Sequence, residues 1–249
     1  MAELDWLTAR PIAHRGFHDA AAGRLENTLS AAEAAAAKGF AIEVDLQLTV
    51  DRKVVVFHDD TLDRLTAATG RVENVALADL KSIPLRGTAD RIPTLDELLA
   101  TVAGRVPLVI ELKSQFTGDR RLEAETAPIL APYAGPGAVM SFDPASMQTM
   151  RSLAPKLPRG LIADRFAEAD WPMIPRPQRF LLRHLVMAAS VLPQFIAYDV
   201  KALPANAPLF LRHFFALPLL TWTVQSEADR ATARRWADQM IFEDFDPEA

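Results

Sequence analysis

The clearest pattern of apolar and polar positions covers residues 40–60, FAIEVDLQLTVDRKVVVFHDD. It predicts an apolar strand, a tight turn and a second strand. Side chains two residues apart on a strand share a face, so Glu43 and Asp45 are expected to project together, away from their apolar neighbours. Burying carboxylates without a partner costs several kcal/mol or more. The pattern therefore indicates that both carboxylates have a partner, and a divalent cation is one such partner.

The turn at Asp51-Arg52 predicts a hairpin. A connection of two to four residues joins antiparallel strands, whereas parallel neighbours need a crossover of a dozen or more residues. Residues 53–57 are therefore expected to fold back against residues 46–49. This geometry would return His58 to the level of the two carboxylates.

Beyond the hairpin, apolar runs alternate with helical patterns. Besides the return strand, eight parallel strands are predicted, near residues 11–16, 40–49, 106–114, 138–142, 160–163, 195–200, 219–224 and 239–243. The helices between them are predicted at 29–39, from 94 onward, and at 120–131, 144–153, 178–191, 206–216 and 226–238. This alternation is typical of a (β/α)8 TIM barrel, here with its last helix reduced to a stub.

The chain is expected to form one domain over residues 1–249, because no internal repeat or second domain is visible. Residues 61–91 have no regular pattern apart from a short helix near 76–81. We interpret this stretch as a small insertion after the hairpin, since a long irregular excursion is more often functional than part of a core.

Composition narrows the function classes. The 249 residues carry a net charge of −5, and no basic run exceeds two residues, which argues against a nucleic-acid partner. Cysteine is absent, so disulfides and thiolate metal sites are excluded. The N-terminus, MAELDWLTARP, is acidic and lacks the apolar stretch of a signal peptide. The apolar segment 185–198 is interrupted by Pro193 and is too short to span a bilayer. A soluble, cytoplasmic protein is predicted.

The charged residues cluster where a barrel builds its active site, at the carboxyl ends of the strands. They are His14, Arg15, Glu43, Asp45, Glu111 and Lys113. Three carboxylates without cysteine favour one hard cation, Mg²⁺ or Ca²⁺, over zinc. Two cationic side chains could hold an anionic substrate. His14 and His58 suit a reaction in which one side gains a proton and the other loses one, as in phosphodiester cleavage.

These residues carry a family resemblance. In order along the chain stand His14-Arg15-Gly16, Glu26-Asn27-Thr28, Glu43-x-Asp45, His58-Asp59 and Glu111-x-Lys113. From residue 11 to about 247 the sequence resembles the glycerophosphodiester phosphodiesterase family. The resemblance implies a barrel of the phospholipase C-like phosphodiesterase type that uses a metal to hydrolyse glycerophosphodiesters to glycerol 3-phosphate and an alcohol.

The resemblance also implies residue roles. The metal ligands would be Glu43, Asp45 and Glu111. The acid/base pair would be His14 and His58, with Arg15 and Lys113 contacting phosphate. Independently of the resemblance, Asn27 or Thr28 is a plausible N-cap of the first barrel helix, and Gly39 is placed to end it. Glu26 and Asn27 are expected to cap this helix and brace the site rather than to do chemistry. Trp222 is either a barrel filler or a wall for the substrate's glycerol.

Several alternatives stay open. The same site could hydrolyse lysophospholipids as a lysophospholipase D does, or the barrel could bind phosphodiesters without turnover. A metal-dependent sugar isomerase is less favoured, because it needs no anion clamp. Which histidine is the base, whether water or a glycerol hydroxyl attacks, and the oligomeric state are undetermined.

Two apolar segments contain interleaved Arg and His: RFLLRHLVMAASVL and APLFLRHFFALPLL. They could contact a lipid surface as a peripheral membrane protein does. The favoured interpretation is that their apolar residues pack against the barrel while the charges reach solvent.

Overall fold

A computed structural model describes residues 4–249. The chain divides into two compact units. We call Ala13–Lys113 with Arg120–Gly137 the hairpin unit. The C-terminal unit comprises the described residues up to Ile12, Ser114–Asp119 and Ala138–Ala249. Residues 1–3, part of the N-terminal segment from which a cytoplasmic location is predicted, lie outside the described residues.

Strands and helices alternate along the chain in the predicted order. The strands are β1 (Ile12–Ala13), β2 (Ala41–Leu48), β3 (Val54–Val56), β4 (Leu108–Leu112), β5 (Gly137–Ser141), β6 (Arg159–Ala163), β7 (Phe195–Asp199), β8 (Leu219–Val224) and β9 (Gln239–Phe242). The helices are α1 (Asp5–Ala9), α2 (Leu29–Lys38), α3 (Leu77–Ser82), α4 (Leu95–Val102), α5 (Arg121–Leu130), α6 (Pro144–Leu153), α7 (Arg176–Arg183), α8 (Ala188–Val191), α9 (Asn206–Phe215) and α10 (Glu227–Trp236). Without β3, this is the element order of a (β/α)8 barrel.

In the hairpin unit, β2 pairs in parallel with β4 and antiparallel with β3. The predicted hairpin is confirmed: Thr49 N donates to Lys53 O at 3.0 Å, and Arg52 adopts a left-handed φ of 61° in the turn. Phe57 N donates to Asp45 O at 2.9 Å. Phe57 therefore lies opposite Asp45, and His58 is the next residue along the chain.

Helix α2 begins and ends at the residues that the sequence marks. Thr28 Oγ1 accepts a hydrogen bond from Ala31 N at 3.2 Å, and Gly39 ends the helix with a left-handed φ of 71°. Gly16 approaches this helix closely, because a Cβ atom there would lie 2.9 Å from Ala31 C. The loop after β1 can therefore pass against the first turn of α2 only with glycine at this position.

The insertion at residues 61–91 is mostly irregular, as expected, and contains a short 3₁₀ turn and α3. Its apolar side chains form a buried cluster with the second strand of the hairpin: Val55, Phe57, Leu62, Leu65, Val72, Leu80, Leu85 and Ile92. The insertion is thus anchored to the strand that leads into His58. Its status as an insertion within a single domain of residues 1–249 stays a prediction.

In the C-terminal unit, β5, β6, β7, β8 and β9 pair in parallel in that order. Phe195, fully buried on β7, lies opposite Gly160 on β6. A Cβ atom at Gly160 would come within 2.3 Å of the Phe195 ring. Glycine is therefore required where the ring crosses the neighbouring strand.

The prediction of one helix over residues 178–191 is wrong. Leu185 adopts a left-handed φ of 52°, and the chain forms two helices, α7 and α8, on either side of this break. The interpretation that the apolar residues of this region and of α9 pack against the barrel is also wrong for several large side chains, which are exposed. No helix within residues 4–249 combines the length and apolar character needed to cross a bilayer.

Candidate active site

Two carboxylates are buried on β2. Glu43 and Asp45 are each 1% exposed and alternate with buried apolar residues, as the sequence predicts. Glu111 on β4 lies directly opposite Asp45 in the parallel register. Each of the three residues offers one oxygen within 4.8 Å of the others. The structure thus brings the three predicted metal ligands together into a group that could hold a metal ion.

Two predicted anion-binding cations lie against these carboxylates. Lys113 Nζ is 2.8 Å from Asp45 Oδ1 and 2.8 Å from Glu111 Oε1. Arg15 Nε is 3.4 Å from Asp45 Oδ2, and Arg15 Nη1 donates to Glu26 Oε1 at 2.6 Å. Both side chains therefore neutralise part of the negative charge in addition to any contact with substrate.

The loop after β1 is held to β2 through Asn27. Arg15 and Asn27 both have left-handed φ angles, 55° and 57°, and Asn27 N donates to Arg15 O at 2.9 Å. The Asn27 side chain donates to Asp45 Oδ2 at 2.8 Å and accepts from Asp45 N at 3.2 Å. Asn27 thus braces the site, whereas its neighbour Thr28 caps α2.

The two histidines differ in their surroundings. His14 Nε2 lies 3.8 Å from Glu43 Oε2. His58 Nδ1 lies 2.8 Å from Asp59 Oδ1. This second contact fixes the ring of His58 and leaves its Nε2 atom for another partner.

A residue that the sequence reasoning missed links the second histidine to the loop after β1. Arg64 donates to both oxygens of Asp59, at 2.5 and 3.0 Å. The same guanidinium donates to both oxygens of Glu26, at 2.7 and 2.6 Å. A continuous chain of charged groups therefore runs from His58 through Arg64 and Glu26 to Arg15. No local pattern marks Arg64, which lies in the irregular insertion.

Gln47 was also missed, although the sequence contained a signal for it. It continues the i, i+2 series of Glu43 and Asp45 on the same face of β2. Its Nε2 atom donates to Phe57 O at 3.0 Å and to Asp59 O at 2.5 Å. Gln47 therefore fixes the backbone on both sides of His58.

The pKa shifts of the carboxylates differ sharply. Burial, followed by repulsion from Asp45 and Glu111, raises the pKa of Glu43 well above its ordinary value. Burial also raises the pKa of Glu111. Burial opposes the ionisation of Asp45 as well, but the charges of Lys113, His58 and Arg15 outweigh it and lower its pKa. The negative charge on Glu43 is thus the least compensated of the three.

These observations fit a divalent cation. The group contains five carboxylates (Glu26, Glu43, Asp45, Asp59 and Glu111) and three permanent cations (Arg15, Arg64 and Lys113). When all five carboxylates are ionised, as ligands of a cation must be, two negative charges have no permanent cation to balance them. Glu43 Oε1 is buried and has no hydrogen-bond partner among the described residues. Carboxylate oxygens are the ligands that Mg²⁺ and Ca²⁺ prefer.

Trp222, the remaining predicted site residue, lies on β8 in the C-terminal unit. Its ring contacts Phe142 edge-on, with ring centroids 5.4 Å apart. Its Nε1 atom is buried and has no hydrogen-bond partner among the described residues. A role in substrate binding stays a prediction.

Comparison with known proteins identifies the family. The model of the glycerophosphoryl diester phosphodiesterase family matches residues 14–246. This chain belongs to the glycerophosphoryl diester phosphodiesterase family. The match spans every predicted site residue, from His14 to Trp222. It confirms the expectation that this chain belongs to a family of phosphoric diester hydrolases.

Relatives in the family come from several bacteria. The protein YhdW of Bacillus subtilis is 34% identical over 160 residues, which cover 61% of this chain and 64% of that protein. The glycerophosphodiester phosphodiesterase of Caldanaerobacter subterraneus is 30% identical over 195 residues, covering 74% of this chain and 78% of that protein. The chain thus spans somewhat less than two thirds of the first relative and more than two thirds of the second.

A solved structure of an Oleispira antarctica phosphodiesterase, in complex with the product sn-glycerol-3-phosphate, has a similar fold. Its TM-score is 0.76 at 22% identity, and the alignment covers 94% of this chain and 92% of that one. The likeness confirms the predicted (β/α)8 TIM barrel of this family member.

Proposed function

We propose that this family member hydrolyses glycerophosphodiesters to glycerol 3-phosphate and an alcohol, and that it requires one divalent cation, Mg²⁺ or Ca²⁺. The observation that carries the proposal is the cluster of three buried carboxylates, which lies in the same unit as two histidines and two cationic side chains. Family membership supports the substrate class.

Glu43, Asp45 and Glu111 would hold the cation. When bound there, it would supply positive charge against the phosphoryl oxygens of the substrate. Asn27 contributes by fixing the orientation of Asp45, because it bonds both the backbone N–H and the carboxylate of that residue. Such bracing keeps a ligand in place before the substrate arrives.

Arg15 and Lys113 would bind the substrate phosphate. Arginine has five N–H donors and the lysine ammonium three. Among the described residues, the contacts of Arg15 to carboxylates use Nη1 and Nε, and those of Lys113 go to two oxygens. Each side chain thus keeps a donor for a phosphate oxygen while it stays anchored to the carboxylates.

His14 and His58 would act as the acid/base pair. One would take a proton from the nucleophile, which is either water or the glycerol hydroxyl of the substrate, and the other would give a proton to the leaving alcohol. Asp59 holds His58 by its Nδ1 atom, so Nε2 is the atom that would exchange a proton with the substrate.

Trp222 is proposed to contact the glycerol of the substrate. Trp222→Ala is then expected to raise KM for glycerophosphocholine while kcat is largely kept. An unchanged KM would assign Trp222 to the barrel interior.

A cytoplasmic location and the absence of a nucleic-acid partner remain predictions. Fractionation of the producing cells would test the cytoplasmic location.

The proposal is tested by the release of glycerol 3-phosphate from glycerophosphocholine, measured with EDTA and after adding Mg²⁺ or Ca²⁺. We expect turnover that EDTA abolishes and one of the metals restores. Turnover with lysophosphatidylcholine alone would favour the lysophospholipase D alternative. Phosphorus NMR of the products distinguishes the nucleophile, because a cyclic phosphate shows attack by the glycerol hydroxyl. No turnover with either substrate and any metal would contradict the proposal and favour a binding role.

A further inference from the structure

Helix α9 exposes its aromatic residues. Phe210, Phe214 and Phe215 are 51%, 77% and 62% exposed, and of the whole helix only Pro208 is buried. The rings of Phe210 and Phe214, one helical turn apart, contact each other with centroids 4.8 Å apart. A surface helix normally turns such residues inward. The exposed apolar face therefore indicates a partner.

A second exposed apolar group lies on α7 and the residues that follow it. Phe180 and Leu181 on α7 are 60% and 39% exposed, and Val186 and Leu192 are 50% and 57% exposed. Among the described ring contacts, Phe180 has only one partner, His184, the polar residue that follows α7, with ring centroids 4.4 Å apart.

A cationic cavity joins the two helices. It has a volume of about 300 Å³ and is lined by Arg183 and His184 at the end of α7, by Asn206 in the first turn of α9, and by Arg165 and Tyr198. We call Phe180, Leu181, Arg183, Phe210, Phe214 and Phe215, with this cavity, the α7–α9 surface. It combines exposed aromatic rings with guanidinium groups.

The basic residues of this region are only partly neutralised. Residues 176–226 contain five Lys or Arg residues and a single acid, Asp199. Acids outside this range pair with three of the five: Glu168 with Arg179, Asp229 with Lys201 and Asp238 with Arg212. Arg176 and Arg183 have no ion-pair partner within residues 4–249. Asp199 acts electrostatically on Arg165. The free positive charge is therefore on Arg176 and Arg183, beside the exposed apolar residues.

We propose that the α7–α9 surface docks onto a bilayer that contains anionic phospholipids. The phenylalanine rings would enter the boundary between headgroups and acyl chains, and Arg183 would meet a lipid phosphate at the cavity. Charge complementarity favours this partner over a second copy of the chain, because two such surfaces facing each other would bring their arginines together. The proposal is independent of the proposed hydrolysis.

The test is co-sedimentation of the full chain with phosphatidylcholine vesicles, with and without phosphatidylglycerol, at low and high salt. The wild type is expected to sediment with the anionic vesicles at low salt and much less at high salt. Arg183→Gln is expected to weaken binding about fivefold, since one basic residue near an anionic surface contributes about 1 kcal/mol. The double variant F210S/F214S is expected to lose binding.

Val50→Ser is the matched control, because Val50 is also apolar and 56% exposed but lies in the hairpin turn. It is expected to bind vesicles as the wild type does. Circular dichroism and thermal melting of each variant separate loss of binding from loss of fold. Failure of the wild type to bind anionic vesicles at low salt overturns the proposal. So does unchanged binding by the folded F210S/F214S variant. Dimerisation that the same variant abolishes, without vesicle binding, would assign the surface to a second copy.

Discussion

The carboxylate group on β2 and β4 and the α7–α9 surface depart from the usual distribution of residues in opposite ways. The first buries charges, and the second exposes large apolar side chains. Either departure is more informative than an ordinary surface or core. Burying charges costs free energy, and leaving large apolar side chains in water forgoes the stabilisation that their burial would give. Both regions therefore point to a ligand, but of different kinds: a compact cation in the first case and an extended surface in the second.

The two regions also differ in how the rest of the protein supports them. Around the carboxylates, Asn27, Gln47 and Arg64 each make at least two hydrogen bonds that fix a functional residue or its backbone. The exposed rings of the α7–α9 surface are supported mostly by one another. The side chains around the carboxylates, where a reaction is proposed, are thus held in fixed positions by hydrogen bonds. The α7–α9 surface, where docking is proposed, offers exposed apolar area and positive charge.

The largest expected effect concerns His58. His58→Ala removes a proposed proton-transfer group and is expected to lower kcat/KM for glycerophosphocholine about 10²- to 10⁴-fold. Phe214→Ser, on the α7–α9 surface, is expected to leave this value unchanged in the absence of membranes. Steady-state kinetics measures kcat/KM of both variants. Comparable losses of kcat/KM in His58→Ala and Phe214→Ser would show that the α7–α9 surface takes part in catalysis, contrary to the separate roles assigned to the two regions.

The next effect concerns stability. Phe195→Ala removes a fully buried ring from the C-terminal unit and is expected to lower the free energy of unfolding by about 3–5 kcal/mol. Phe214→Ser in the same unit is expected to change it by less than about 0.5 kcal/mol. Urea unfolding measures both. A large loss in Phe214→Ser would mean that its ring is buried in solution, contrary to its 77% exposure.

A smaller effect is expected from a positioning residue. Arg64→Gln loosens Asp59, which orients His58, and is expected to lower kcat about 10- to 100-fold with little change in KM. Arg71→Gln is the control, since Arg71 lies in the same insertion but pairs with exposed Glu73 and Asp60. Equal activities of the two variants would show that Arg64 does not position His58.

The sequence predicted those parts of the structure that depend on local patterns. The alternation around Glu43 and Asp45, the hairpin turn and the cap at Thr28 all depend on neighbouring residues, and the structure has each of them. The proximity of Glu111 to Asp45 followed from the rule that parallel strands end at one edge of a sheet.

Other features depend on contacts between distant segments, which no local pattern contains. Arg64 binds Asp59 and Glu26 only because the insertion folds back over the loop after β1. The break at Leu185 interrupts an otherwise helical pattern. The apolar residues of α9 have the spacing of a packed helix, and periodicity cannot show whether a protein surface faces them.

The central claim is that Glu43, Asp45 and Glu111 bind one divalent cation. Isothermal titration calorimetry of EDTA-treated protein with Mg²⁺ and with Ca²⁺ tests it most directly, with Glu43→Gln as the variant and Glu73→Gln, an exposed carboxylate of the insertion, as the control. We predict one site per chain in the wild type and in the control, and its loss in folded Glu43→Gln. Equal binding by Glu43→Gln, or no binding by the wild type, would contradict the claim.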